Sequence, residues 1–128
     1  MKKDFDGWNE KKKHINNSTT APFVHEGEIW WCSLGANVGY EEDGKNSGFE
    51  RPVVIFRKFN TKIFLGFPIT TQIKSGRYYF NYMYKDKIFA VILSQIRLLD
   101  TKRLKRKIRT LPQTDRDALC TKFLQLLK

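Results

Sequence analysis

The sequence predicts a mainly β protein: a small, strongly bent antiparallel barrel with helical additions. Five or six short segments are either continuously apolar or alternate between apolar and polar residues, as strands do. Turn-forming residues such as glycine, asparagine and serine separate these segments at short intervals. Helical spacing of apolar residues is found only toward the two ends of the chain. Together these observations indicate a small barrel that carries helices.

The first predicted element is a short helix over residues 4–16. Asp4 is suited to cap its N-terminus. Phe5, Trp8 and Ile15 recur near helical spacing and are expected to share an apolar face.

The lysines at residues 11–13 could contact nucleic acid, but a solvated helix face is the more common role of such a run and is favoured here. Residues 16–22 have the composition of a linker. We therefore expect residues 1–22 to form an N-terminal helical extension, and residues 23–128 to form the main domain.

The first strand is predicted over residues 28–34 and contains two adjacent tryptophans. Neighbouring side chains of a strand point to opposite faces, so either Trp30 or Trp31 belongs to the core. The other could stack on a nucleic-acid base. Packing beneath the N-terminal helix is the simpler interpretation and is preferred.

Residues 35–50 are predicted to form a long loop with four glycines and an acidic cluster, Glu41, Glu42 and Asp43. A loop of this length is usually functional or mobile. The cluster lacks the spacing of known magnesium or calcium motifs, so a metal site is disfavoured. Glu41 could instead accept hydrogen bonds from base edges or a hydroxyl.

The strand that follows opens with Arg51 and Pro52 and continues as an apolar, β-branched run. Pro52 cannot donate to a strand ladder, which places it at the start of the strand. Arg51 is therefore expected to face outward at the edge of the preceding loop. A fixed guanidinium suits phosphate binding, whereas the alternative role is a solvated charge at a strand end.

Further strands are predicted in pairs. Residues 51–58 and 62–69 should form one hairpin, and residues 77–84 and 88–93 another. Residues 94–99 alternate polar and apolar side chains, as a strand with one solvated face would.

Two helices are predicted at the C-terminus. Asp100 is expected to cap a basic helix over residues 101–108, and residues 114–117 match a capping box that opens the last helix. The apolar residues of the last helix that are expected to face inward are Leu119, Phe123, Leu126 and Leu127.

A length of 128 residues indicates one domain, and a net charge of +11 indicates a polyanionic partner such as nucleic acid, an anionic membrane or an acidic protein. The charge is uneven, because residues 28–50 carry a net charge of −4 within an otherwise basic chain. Aromatic and basic residues alternating on a sheet suit single-stranded nucleic acid.

No apolar run approaches the ~20 residues that span a bilayer, and the N-terminus has no secretory h-region. Cys32 and Cys120 are far apart in the sequence and are expected to be reduced core thiols. The expected location is the cytoplasm, without membrane association.

Four motifs follow one another along the chain. They are Gly27-Glu28-Ile29-Trp30, Arg51-Pro52-Val53-Val54, Pro68-Ile69-Thr70-Thr71-Gln72 and Leu93-Ser94-Gln95-Ile96-Arg97-Leu98-Leu99-Asp100. In this order and spacing they resemble the MazF/PemK toxins of bacterial toxin–antitoxin pairs. The similarity covers about residues 26–127 and excludes the N-terminal helix.

The resemblance implies an SH3-like barrel of the PemK/CcdB type, acting as a homodimer. It also implies a sequence-specific, metal-independent endoribonuclease for single-stranded RNA that needs no cofactor. Arg51 matches the family's catalytic arginine and Thr70 its catalytic threonine, with Thr71 as the neighbouring alternative. Tyr40 falls where relatives often carry a serine, and Glu41 where they often carry an acidic residue. Several extra residues before Arg51 leave the cleaved RNA sequence open.

Metal-free RNA cleavage uses the adjacent 2′-OH to attack phosphorus and leaves a 2′,3′-cyclic phosphate. Arg51 can stabilise the charge on the phosphate, and Thr70 can hold a phosphate oxygen in line. Glu41 is the candidate general base, since His14 and His25 both precede the barrel and do not form an acid–base pair. The candidate RNA-binding residues are Tyr40, Thr71, Gln72, Lys74, Arg77, Gln95 and Arg97.

The resemblance further implies a cognate antitoxin whose acidic, disordered C-terminal segment folds on the toxin. The strands around residues 64–67 and 88–93 are expected to contribute to the homodimer contact. Two alternative functions stay open: a non-catalytic, CcdB-like toxin that binds a protein partner, and a barrel that binds RNA without cutting it.

Overall fold

The computed structural model describes residues 3–17, 21–35 and 50–128. These residues form two helices and seven strands, with short 3-10 turns at Leu93–Gln95 and Thr101–Arg103. The helices are α1 (Phe5–Asn16) and α2 (Gln113–Leu126). The strands are β1 (Glu28–Ser33), β2 (Glu50–Lys58), β3 (Ile63–Thr70), β4 (Tyr79–Tyr84), β5 (Lys87–Ile92), β6 (Arg97–Asp100) and β7 (Leu104–Thr110).

All the strand pairs of the sheet are antiparallel, in the order β4-β5-β3-β2-β1-β7. Strand β3 is the branch point. One of its edges pairs with β2, whereas the other pairs first with β6 and then with β5. This branching bends the sheet, as the predicted small barrel requires. The two outer strands, β4 and β7, approach each other: the Arg109 guanidinium of β7 lies 3.8 Å from the centre of the Tyr84 ring of β4.

The two faces of the bent sheet pack into two hydrophobic clusters. Helix α2 covers the first, where Phe56, Phe67 and Phe123 contact one another with ring centroids 5.0–5.4 Å apart. The second cluster lies mainly among strands and includes Trp30 and Phe64, together with Val24 and Leu34 from the segments that flank β1. Each strand between the clusters therefore contributes side chains to both, which explains the apolar run of β2.

Most of the sequence-based elements are confirmed. Asp4 caps α1 by accepting a hydrogen bond from the Gly7 N–H at 2.9 Å. The β2–β3 and β4–β5 hairpins form as predicted, and Lys85 and Asp86 turn the second hairpin with positive φ angles. In α1, Trp8 and Ile15 are buried, whereas Phe5 is half exposed.

The basic helix predicted over residues 101–108 is wrong. Residues 101–103 form a single 3-10 turn capped by Asp100, and β7 then pairs with the free edge of β1. The prediction failed because Leu104 and Ile108 are four residues apart, a spacing that shares one face in a helix and in a strand alike. Pairing with β1 decides between the two, since it satisfies the backbone of both strands.

Three smaller corrections concern the neighbouring segments. Residues 94–99 are not one strand, because the 3-10 turn after β5 precedes the short strand β6. The last helix starts at Gln113 after Pro112, so the predicted capping box at residues 114–117 does not cap it. At the other end of α2, Leu127 is 66% exposed rather than turned inward.

The two tryptophans of β1 face opposite sides, as predicted. Trp30 is buried, and its indole donates a hydrogen bond to the Glu28 carboxylate at 3.0 Å. Trp31 is half-buried beside the guanidinium of Arg106 from β7. The N-terminal helix instead brings its own tryptophan, Trp8, against the end of β1 at Gly35. Neither α1 nor α2 is long and apolar enough to cross a bilayer.

Candidate functional site

Arg51 and Thr70 meet where β2 begins and β3 ends. The antiparallel register pairs Val53 with Pro68, and two further residues along each strand bring Arg51 beside Thr70. The Arg51 guanidinium donates a hydrogen bond through Nη1 to the carbonyl oxygen of Ile69, at 3.3 Å. Two residues that lie nineteen positions apart in the sequence thus form one site.

Arg51 is buried, which corrects the expectation that it faces outward at a loop edge. Only 6% of the residue is accessible. The reason is that β2 lies between β1 and β3, where Arg51 is opposite Cys32 on one side and reaches β3 on the other. A buried guanidinium with a fixed hydrogen bond is preorganised to receive an anion.

Thr70 is also buried, with 5% of the residue accessible. Its Oγ1 accepts a hydrogen bond from the backbone N–H of Gln72 at 3.2 Å, which leaves the hydroxyl proton to be donated. Thr71 and Gln72 are exposed beyond the end of the strand. Of the two threonines, Thr70 is therefore the one adjacent to Arg51.

Further cationic side chains lie near Arg51 and its strand partner Cys32. Arg97 of β6 is half-buried, and its buried Nη1 has no hydrogen-bond partner among the described residues. Arg103 donates through Nη1 to the carbonyl oxygen of Ser33 at 3.0 Å, and its burial lowers its pKa. Burial raises the pKa of the Cys32 thiol to about 12, although both arginines act in the opposite direction. Cys32 is thus a neutral core thiol, and the arginines supply positive potential.

The other predicted RNA-binding residues are spread more widely. Gln95 is half-buried in the turn after β5, and β5 itself pairs with Thr70 through Ala90. Lys74 and Arg77 are exposed in the segment between β3 and β4. That segment contacts β4 and α2, since Asn81 donates to the Lys74 carbonyl at 3.0 Å and Lys122 to that of Gly76 at 3.2 Å. It also contacts the turn after β5, where the Leu93 N–H donates to the Tyr78 carbonyl at 2.8 Å. Among the described residues, no hydrogen bond or ion pair joins Lys74 or Arg77 to Arg51 or Thr70.

Tyr40 and Glu41 lie outside the described residues, as does the acidic cluster that continues to Asp43. Within residues 3–17, 21–35 and 50–128, no group of three or more histidine, cysteine, aspartate or glutamate side chains could hold a metal ion.

Arg103 is not among the predicted site residues, because the helix predicted over residues 101–108 does not form. The pattern that could have identified it is the 3-10 turn signal after Asp100, followed by an alternating segment. The ion pair of 3.6 Å between Lys11 of α1 and Glu50 at the start of β2 was not predicted either. No local pattern relates residues so distant in the sequence.

Comparison with protein families gives one match over most of the chain. Residues 25–127 match the family described as "PemK-like, MazF-like toxin of type II toxin-antitoxin system". The match begins after α1. No curated protein sequence matches significantly.

Solved structures with the same fold are similar to this chain at low sequence identity. MazF from Deinococcus radiodurans is 18% identical, with a TM-score of 0.63 over 84% of this chain and 97% of that chain. An endoribonuclease from a Mycobacterial species, in complex with its cognate antitoxin, is 16% identical, with a TM-score of 0.60 over 84% and 95%. A MazE-MazF structure from Deinococcus radiodurans is 15% identical, with a TM-score of 0.58 over 84% and 96%.

Proposed function

The chain belongs to the PemK-like, MazF-like family of type II toxin–antitoxin toxins, and we propose that it is a sequence-specific endoribonuclease that cleaves single-stranded RNA without a metal ion. The observation that carries the proposal is the buried pair of Arg51 and Thr70 on adjacent strands. A buried cationic donor beside a buried hydroxyl is suited to hold one phosphate group and to exclude water from it.

The proposed reaction is attack of the RNA 2′-oxygen on the adjacent phosphorus. The bond to the 5′-oxygen of the next nucleotide breaks, this oxygen takes up a proton from water, and the products are a 2′,3′-cyclic phosphate and a 5′-hydroxyl. Arg51 would stabilise the negative charge that grows on the nonbridging oxygens in the transition state. Thr70 would donate its hydroxyl proton as a hydrogen bond to one of these oxygens and hold the phosphate in line. Glu41 is proposed as the base that removes the 2′-OH proton, a role that rests on the family resemblance.

We propose that RNA continues from this site over Thr71 and Gln72, which are exposed immediately after Thr70. Gln95 and Arg97 would contact the strand on the β5 and β6 side. The buried Nη1 of Arg97 supports this assignment, because it has no hydrogen-bond partner within the described part of the chain and an anionic ligand would satisfy it. Lys74, Arg77 and Tyr40 are proposed as contacts to nucleotides farther from the cleaved bond.

The antitoxin is proposed to use an acidic, disordered C-terminal segment that occupies the same cationic site. One of the similar solved structures is an endoribonuclease in complex with its cognate antitoxin, which supports a partner of this kind. Competition is testable by titrating an uncleavable RNA into a complex of the toxin with a labelled acidic peptide. Direct occlusion requires the apparent peptide affinity to fall without limit, whereas a plateau would indicate inhibition from a distance.

We also propose a homodimer in the cytoplasm. Phe64 and Phe67 are fully buried in the two cores, so they cannot form the contact that was expected of them. Met83 and Ile88 are better candidates, because they are paired across β4 and β5 and are 65% and 44% exposed. Light scattering at micromolar protein concentration tests the dimer.

One assay separates the proposed function from its alternatives. Purified protein is incubated with a long single-stranded RNA in the presence of EDTA, and the ends of the products are identified. The proposal requires cuts at a defined sequence that leave 2′,3′-cyclic phosphate and 5′-hydroxyl ends. Binding without cleavage would indicate an RNA-binding barrel, neither binding nor cleavage would indicate a CcdB-like toxin, and loss of cleavage with EDTA would refute the metal-free mechanism.

A further inference from the structure

Helix α1 lies outside the region that matches the family, yet it packs directly against the corner of the barrel that carries Arg51. Trp8 is 4% exposed, and its indole fills the space beside Gly35 at the end of β1. A β-carbon added at Gly35 would overlap Cε2 of Trp8, and Gly35 has a φ of +78°. Trp8 can therefore occupy this place only because residue 35 is a glycine.

Two routes connect α1 to the strand residues around Arg51. In the first, Trp8 lies 5.6 Å from the Arg103 guanidinium, which in turn donates to the Ser33 carbonyl. Ser33 and its neighbour Cys32 are paired across the ladder with Glu50 and Arg51.

The second route is an ion pair. Lys11 Nζ lies 3.6 Å from the Glu50 carboxylate, and these two side chains are only 21% and 26% exposed. Glu50 is the residue immediately before Arg51 on β2. At its C-terminal end the helix is held again, because Lys102 Nζ donates to the Asn16 carbonyl at 3.3 Å.

We infer that α1 is a positioning element for the active site, in which Lys11 and Trp8 fix the backbone that presents Arg51. This inference rests on the proposed function and adds to it a requirement for residues outside the family region. A catalytic guanidinium has to be held within about 0.5 Å of its productive position. Arg51 is the second residue of β2, and the ends of a strand are held less firmly than its middle. The ion pair from Lys11 to Glu50 and the contact of Trp8 with Arg103, which holds the Ser33 carbonyl, compensate for that position.

The test compares two substitutions on the same helix. Lys11→Met keeps the aliphatic stem but removes the ion pair with Glu50. Lys13→Met is the matched control, because Lys13 pairs with Glu10 within the exposed face of α1, at 3.4 Å. Both variants lose one positive charge, so any general weakening of RNA attraction is the same in both.

Lys11→Met should lower kcat about tenfold, since displacements of a fraction of an ångström at a reacting group cost this much. KM should match that of the control, and the melting temperature should change by no more than about 4 °C, as expected for the loss of one partly exposed ion pair. The double variant Lys11→Glu with Glu50→Lys should regain most of the lost kcat, because it restores the ion pair in reverse.

Amide hydrogen exchange provides a readout that needs no catalysis. Lys11→Met should accelerate exchange in residues 30–35 and 50–55 and leave β4 and β5 unchanged, whereas Lys13→Met should change neither. Equal exchange in the two variants, or faster exchange in Lys11→Met with unchanged kcat, would overturn the inference. Failure of the proposed function is recognised separately, because the wild-type protein would then leave RNA intact. In that case the hydrogen-exchange comparison still decides whether α1 holds the backbone around Arg51.

Discussion

Replacing Arg51 with lysine is the most informative change to the candidate site. The substitution keeps the positive charge and most of the side-chain stem, but it replaces a planar fork by a point charge that cannot bind phosphate through two parallel hydrogen bonds. Arg51→Ala would be a suitable test if Arg51 were exposed, as the sequence predicted, but it is less suitable for a buried residue. Because only 6% of Arg51 is accessible, removing its side chain would leave a cavity and mix loss of stability with loss of catalysis.

The expected effect on the rate follows from the contact that is lost. A preorganised donor in a water-excluded site contributes a factor of about 10²–10³ to the rate, which corresponds to about 2.7–4 kcal/mol. The fold loses the hydrogen bond from Arg51 to the Ile69 carbonyl, which for a charged donor contributes about 1.5–3 kcal/mol. The variant should therefore stay folded and cleave slowly.

The assay is single-turnover cleavage of a labelled RNA by excess protein in EDTA, with thermal unfolding measured on the same samples. Arg57→Lys is the matched control, since Arg57 lies on the same strand but is half exposed and pairs with Glu26 at 3.5 Å. The control should cleave at the wild-type rate. The loss of one transition-state contact should slow cleavage far more than about threefold. If the cleavage rate of Arg51→Lys is within about threefold of that of the control, Arg51 does not stabilise the transition state and its assignment is wrong.

Thr70→Ala should slow cleavage about 10²-fold, because it removes a donor to the phosphate. Thr71→Ala, at an exposed position, should change the rate far less. Equal losses of single-turnover rate in the two variants would contradict the assignment of Thr70. The affinity for an uncleavable single strand should fall with salt at ~0.7 log units per log unit of salt for each phosphate contacted, and a flat dependence would show that the +11 charge serves another purpose. The free energy of unfolding should decrease in acid as the Glu28 carboxylate becomes protonated. Burial favours a raised pKa for Glu28, but hydrogen bonds from a backbone N–H and from Trp30, together with a lysine of β7, lower it below 4.5. That stabilisation is present above the ordinary pKa and is lost as the pH falls below it, so Glu28→Gln should flatten the pH dependence of stability between about pH 5 and 3.

Local sequence patterns were sufficient for the elements whose neighbours in space are also neighbours in the chain. The β2–β3 and β4–β5 hairpins and the capped helix α1 follow from apolar period, turn residues and a capping aspartate, all of which act within a few residues. The spaced motifs, through the family that they resemble, also predicted Arg51 and Thr70 as site residues, and the β2–β3 hairpin places the two side by side. These features were set by the sequence itself.

Tertiary structure decided what depends on pairing between distant segments. Leu104 and Ile108 fit a helix and a strand equally well, and only the free edge of β1 made residues 104–110 a strand. The burial of Arg51 likewise required β1 and β3 on both sides of β2, although its own neighbours in the chain suggested an exposed strand end. The docking of α1 depends on its contacts with Gly35 and Glu50. No local sequence pattern encodes these contacts, because the surfaces that form them meet only when the barrel is complete.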